Sequence, residues 1–144
     1  MTLIEQRHPR LGRLVQLWRA HCDGGSLPLV SALVPAALAD LAPLTVLLTR
    51  TTNGGQQLTI TASGAEVDAL YGESLAGAPA TRLTPTRGDA EEEARSAIET
   101  ARPVVIEDEL GARGRSCRVA RVYLPLANDD GSPDVVLCGV VAVA

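Results

Sequence analysis

Two apolar runs, Val119 to Leu126 and Val135 to Ala144, joined by Asn-Asp-Asp-Gly-Ser-Pro at 128–133, constrain this chain more than any other stretch. β-Branched residues on both sides of a cluster of turn formers read as a β-hairpin. With Leu126 opposite Asp134, Cys138 faces Val122 and Val143 faces Cys117. One face then carries Ala120, Val122, Leu124 and Leu126 with Val136, Cys138, Val140 and Ala142. The other carries Val119 and Tyr123 with Val135, Leu137, Val141 and Val143. A sheet wetted on one side would alternate with polar residues, and neither face does. Each side therefore needs a cover.

The chain has 144 residues, enough for one domain with a real core. Its net charge is −4 with scattered basic residues, which excludes nucleic acid and an anionic membrane as expected partners. Every basic residue is arginine, so Schiff-base chemistry and the phosphate-binding lysine of P-loop enzymes are excluded. Phenylalanine is absent, and Trp18, Tyr71 and Tyr123 are the aromatic residues, a poor lining for flavin or haem. The N-terminus is too polar for a signal peptide, and no apolar run approaches the roughly 20 residues of a membrane span. A cytoplasmic location is expected.

Three cysteines are too few for a disulfide scaffold. In the register above, Cys117 and Cys138 lie on opposite faces, roughly 16 Å apart at ~3.3 Å per residue. A disulfide needs Cα atoms within about 7 Å, so free thiols acting as apolar filler are expected.

Residues 9–22 read as a helix, with Pro9 early and Asp23-Gly24-Gly25 at its end. Leu11, Leu14, Val15, Leu17 and Trp18 form its apolar stripe, suited to cover one sheet face within the chain or across a dimer. A short helical turn follows at Pro35 to Asp40. Leu44 to Arg50 and Gln57 to Ala62 then read as strands around an Asn53-Gly54 turn. Ser63 and Glu66 suggest a capping box for a helix from Ala65 to Leu70 that Gly72 stops. Asp89 and Glu92 suggest another for a helix from Ala90 to Ala101, whose inner face is Ala90, Ala94, Ala97, Ile98 and Ala101. A short strand at Val104 to Ile106 and a turn at Leu110 to Gly114 lead into the final hairpin. This order implies an α+β fold, an antiparallel sheet with helices over one face. The chain divides into an N-terminal helix and lead-in segment, 1–43, and a core, 44–144.

That order and particular residues resemble a PAS domain, most of all the stand-alone alphaproteobacterial-type PAS family. The residues are Trp18 with Gly24-Gly25 and Leu27-Pro28; Leu70-Tyr71-Gly72 with Leu75-Ala76-Gly77; and Leu124-Pro125-Leu126 with Asp129-Asp130-Gly131, Val136-Leu137 and Gly139. The likeness spans essentially the whole chain. It implies a five-stranded antiparallel sheet in the order 2-1-5-4-3, helices on the inner face, and an N-terminal helix that packs the outer face or mediates dimerisation. PAS domains are sensors and docking modules, usually without catalysis. The flavin-binding branch carries Asn-Cys-Arg on a central helix, whereas residues 65–101 hold no cysteine. The haem-binding branch uses a histidine on the long helix, and 89–102 hold none. No cofactor is expected.

His8 and His21 both precede the sheet, which leaves a catalytic triad without a base in the body of the domain. His21-Cys22 lacks metal-ligand spacing. The runs Glu91-Glu92-Glu93 and Glu107-Asp108-Glu109 read as a helix N-terminus and a solvated strand end, so no metal is expected. Arg118 and Arg121 fall on opposite faces of the hairpin, so one of them must lie on the core side. If that one is Arg118, it could anchor a carboxylate ligand, or Glu66 or Asp68. The candidate ligand cavity is Leu70, Tyr71, Ala94, Ile98, Arg118, Val122 and Cys138. The candidate dimer interface is Leu11, Leu14, Val15, Trp18, Val119, Tyr123, Leu137 and Val141. The expected function is a non-catalytic regulatory module that senses a small molecule or docks on an as yet unknown protein, as a homodimer. The alternatives are a small α+β hydrolase or isomerase using helix carboxylates, and a structural dimer module with a filled interior.

Overall fold

The computed structural model describes residues 7–22, 24–33, 35–50, 57–85, 88–112 and 115–143. Helix α1 (Pro9–Ala20) leads through a 3-10 turn (Val30–Leu33), a one-turn helix α2 (Pro35–Leu38) and a 3-10 segment (Ala39–Leu44) into the sheet. Strands β1 (Thr45–Arg50) and β2 (Leu58–Ser63) follow, then α3 (Ala65–Tyr71), a 3-10 turn (Ala80–Leu83) and α4 (Ala90–Thr100). Strands β3 (Val104–Ala112), β4 (Arg115–Leu126) and β5 (Val135–Ala142) complete the chain. The five strands form one antiparallel sheet in the order β2-β1-β5-β4-β3. The fold is α+β with the expected strand order. The Asn53-Gly54 turn, Asp23 and Arg113 lie outside the described residues.

Both sheet faces are covered. Leu11, Leu14, Val15 and Trp18 of α1 sink onto an outer layer with Ala120, Val122, Leu124, Leu126, Val135, Leu137 and Val141. The inner layer joins Val119, Tyr123, Val136, Cys138 and Val140 to Ala90, Ala94, Ala97 and Ile98 of α4 and to Val67 and Tyr71 of α3. Trp18 also donates its indole N–H to the Pro125 carbonyl at 2.8 Å, so the largest side chain is satisfied as well as buried. On the same side, a Cβ on Gly139 would meet Leu14 Cδ2 at 2.7 Å, so α1 rests where β5 has no side chain.

The last hairpin is one residue out of the expected register. Leu126 pairs with Val135 and Tyr123 with Cys138, not Val122 with Cys138. Because side chains alternate with a period of two, that slip exchanges the whole partner set of β4. Val119 and Tyr123 therefore join the inner layer, while Val122 joins the outer one. It also returns Cys117 to the face of Cys138, about six residues along the ladder and roughly 20 Å away. Both cysteines and Cys22 are free thiols.

Two local expectations fail for identifiable reasons. Strand β3 runs unbroken from Val104 to Ala112, because Glu107 and Asp108 each find a partner on opposite faces of the sheet. The capping boxes do not form. Ser63 donates to Asp68 at 2.7 Å instead, Gly64 becomes the N-cap residue, and Glu66 pairs with Arg10. At α4, the Ala90 N–H donates to the Thr84 hydroxyl at 2.9 Å. The helix ends at Ala101, in the left-handed region at φ 54°, so Ala101 itself turns out to solvent.

Candidate functional site

The inner layer holds a closed ring of polar groups. Arg121 and Tyr123, two apart on β4, point to the same face. Asp108 sits diagonally across on β3, since Ile106 pairs with Arg121 and Val119 with Asp108. Glu93 reaches down from the first turn of α4. Arg121 is 1% exposed and makes a two-pronged ion pair with Asp108, Nη1 to Oδ1 at 2.7 Å and Nη2 to Oδ2 at 3.0 Å. Its Nη2 also donates to Glu93 Oε1 at 3.0 Å, and its Nε to the Tyr123 hydroxyl at 3.1 Å. The Tyr123 hydroxyl donates in turn to Glu93 Oε1 at 2.7 Å. Burial pulls the Arg121 guanidinium down, but the Asp108 hydrogen bond and the fields of Tyr123 and Glu93 outweigh it and hold it above its ordinary value.

Around this ring the side chains are buried. Tyr71 is buried and donates to the Leu83 carbonyl at 2.6 Å, and burial pushes its phenol well up. Ala94 and Ala97 are fully buried on the strands. The Cys138 thiol is buried at the centre of β5, which pushes its pKa up to about 12. It is a protonated filler at neutral pH and no nucleophile. Glu93 and Asp108 converge as a pair of acids, yet their oxygens are already spent on Arg121 and Tyr123. Among the described residues, no group of three or more His, Cys, Asp and Glu side chains could hold a metal ion.

A family model described as the PAS domain matches residues 6–142, nearly the whole chain. The chain belongs to the PAS domain family. Solved structures agree on the fold. A fungal light-oxygen-voltage photoreceptor domain covers 91% of this PAS domain and 90% of its own chain, at 17% identity and TM-score 0.58. A PAS domain from Colwellia psychrerythraea covers 69% and 86%, at 19% identity and TM-score 0.53. A light-oxygen-voltage protein from Rhodobacter sphaeroides covers 93% and 68%, at 10% identity and TM-score 0.56. No curated protein sequence matches this PAS domain. At these identities the structural likeness carries the fold and nothing about a bound group.

The interior of this PAS domain lacks the helix cysteine of the flavin-binding branch. Residues 65–101 hold no cysteine, and the thiol buried on the inner face is Cys138. Tyr71, Tyr123 and the ion-paired Arg121 occupy the layer between α4 and the sheet.

Of the sequence candidates for a ligand cavity, Leu70, Tyr71, Ala94, Ile98 and Cys138 all meet in the inner layer. Val122 does not, because the register slip turns it under α1. Arg118 stands at the rim, 54% exposed, 3.4 Å from Glu107. Arg121 is the arginine on the core side, with Glu93 and Asp108 as partners in place of Glu66 and Asp68. Of the dimer candidates, Leu11, Leu14, Val15, Trp18, Leu137 and Val141 are buried within the chain in the outer layer, while Val119 and Tyr123 lie inside. Sequence reasoning missed Glu93, Asp108 and His8. The available signal for the first two was the parity of Arg121 with Tyr123, which demanded acids on whatever covered that face. His8, the N-cap residue of α1, lies 3.0 Å from Glu107.

Proposed function

We propose that this PAS domain is a non-catalytic regulatory module, cytoplasmic, which senses a small molecule at the inner layer and passes the change on by protein–protein contact. The ring of Glu93, Arg121, Asp108 and Tyr123 carries this reading. It ties the covering helix α4 to both strands at one edge of the sheet, so any displacement of the helix must shift β3 and β4. The non-catalytic character rests on the same ring, whose acids are already paired, and on the protonated Cys138 thiol. Among the described residues, no helix is long and apolar enough to cross a membrane.

A homodimer belongs to the same proposal. The α1 stripe is sunk on its own sheet, so a dimer that uses Leu11, Leu14 and Trp18 exchanges this helix between copies. Light scattering at two concentrations tests the dimer separately.

The module itself is tested by native mass spectrometry of the purified protein, then hydrogen exchange with any released molecule added back. A sensor shows a bound mass and slowed exchange in α4 and β4. Steady chemical conversion of the bound molecule overturns the reading. So does a protein that carries no mass and whose exchange no fraction of a metabolite extract alters.

A further inference from the structure

The sheet face opposite α4 is covered unevenly. Helix α1 lies over β4 and β5, while the 3-10 turns and α2 of the lead-in form a partial roof beside the outer side of β1 that leaves Ala62 of β2 exposed. Between roof and sheet lies a cavity of about 390 Å³, walled by Val30, Leu33, Leu38, Leu47, Ala62 and Leu137. We propose that this cavity binds a small, uncharged, apolar molecule. The proposal goes beyond the regulatory reading, which neither needs this cavity nor falls with it.

Chemistry selects the occupant. Among the described residues, no charged side chain lines the space. The side-chain hydroxyls in its wall are already paired within the chain. The Thr45 hydroxyl donates to the Ala42 carbonyl at 2.8 Å, and the Ser63 hydroxyl to Asp68 at 2.7 Å. The Gly64 N–H donates to the Thr45 carbonyl at 2.8 Å. A charged or strongly polar guest would lose its water and gain nothing in return. An apolar guest loses only unfavourable hydration.

Size and boundary argue against a macromolecule. A volume of about 390 Å³ is between two and three times the roughly 150 Å³ of an apolar cavity that takes up benzene. The apolar wall gives way on the same sheet face to threonines, Thr49 and Thr61 bonding each other at 3.0 Å. Its solvent-facing part is Pro43, Ala62 and Ala65 with portions of Val30, Ala42 and Leu47. That is far less than the ~800 Å² per partner of a stable protein interface.

Ala62 and Ala65 are exposed at the mouth, so they can be enlarged without disturbing the core. The experiment titrates the uncharged fluorophore N-phenyl-1-naphthylamine into the wild-type chain, the double variant Ala62→Leu/Ala65→Leu, and Val105→Ser, a control at the far edge of the sheet. The expected result is saturable, blue-shifted emission with one probe per chain, displaced by octanol far better than by octanoate. Affinity falls about tenfold or more in the double variant and holds in Val105→Ser. Methyl NMR of the wild-type chain with octanol reads the site without any variant, and the shifts fall on Leu33, Leu38 and Leu47. Equal affinity in the double variant, no saturable binding, or shifts centred on Ile98 and Val140 overturn the proposal. A double variant that changes from dimer to monomer with probe binding intact assigns the face to a second copy and overturns it too.

Discussion

The two layers around this sheet are built on opposite principles. The outer cover, α1, presents large side chains, three of them leucine or tryptophan, and its charges stay at the solvent rim. The inner cover, α4, presents alanines and plants a carboxylate over a buried arginine. Large side chains interdigitate and so fix the position of a helix by shape. Alanines let the helix come close but give it little shape to lock into, and there the ion ring sets the helix's place. Shape closes one side of this PAS domain; charge orients the other.

The sharpest way to break that contrast is to remove the central cation. Arg121→Ala leaves Glu93 and Asp108 facing each other without the cation between them, a loss of about 3–5 kcal/mol. Urea denaturation measures it. Replacing the whole ring by apolar residues, Arg121→Met with Glu93→Met, Asp108→Leu and Tyr123→Phe, recovers most of that loss, because a well-packed apolar substitute spares the desolvation of three charges and leaves no hydroxyl unpaired. If the ring orients α4, the apolar version regains stability while losing uniqueness, visible as broadened amide signals in α4. Sharp signals throughout would show that the alanines suffice.

The matching test on the outer side is Leu14→Ala, which costs about 2–5 kcal/mol through a cavity beneath α1. Gly139→Ala forces a methyl against Leu14 and Leu11 and costs about 1–3 kcal/mol by overpacking. Because both act on one contact, the double variant is less destabilised than the sum. Strict additivity would mean that α1 does not rest on Gly139 in solution. Back on the inner side, Tyr123→Phe removes one hydroxyl that bridges Arg121 and Glu93, a loss of about 1–3 kcal/mol.

Shape and charge were not equally legible in the sequence. The two apolar faces of the hairpin demanded two covers, and the spacing of Leu11, Leu14, Val15 and Trp18 supplied one of them. Periodicity carries that information directly. Register does not follow from periodicity when both faces are apolar, since a one-residue slip exchanges one buried set for another. Val122 and Tyr123 were misplaced for that reason alone. The ion ring was half legible, as Arg118 and Arg121 had to fall on opposite faces. Its acids come from a helix start and from the middle of an edge strand, which look like ordinary solvated carboxylates in one dimension.

The smallest expected effect sits at the rim of the outer layer, where charge assists shape. Glu107 receives His8 at 3.0 Å and Arg7 at 3.2 Å, and so pins the start of α1 to β3. The His8 hydrogen bond, with help from Arg7 and Arg118 and against an opposing burial effect, holds its carboxyl below the usual range. A carboxylate with a depressed folded pKa stabilises the fold above its unfolded value, near 4.5, and loses that contribution as pH falls through the folded pKa. Glu107→Gln therefore lowers the unfolding midpoint slightly at pH 6, and the gap from wild type narrows as pH falls below about 4.5. Thermal unfolding of both chains across that range measures it. The exposed setting keeps the effect well below that of Arg121→Ala, although both substitutions break an ion pair to β3. A Glu107 effect as large as the Arg121 effect would mean that α1 is held by its rim and not by Leu14 and Trp18, and one that does not narrow as pH falls would mean that the carboxylate's charge is not what pins it.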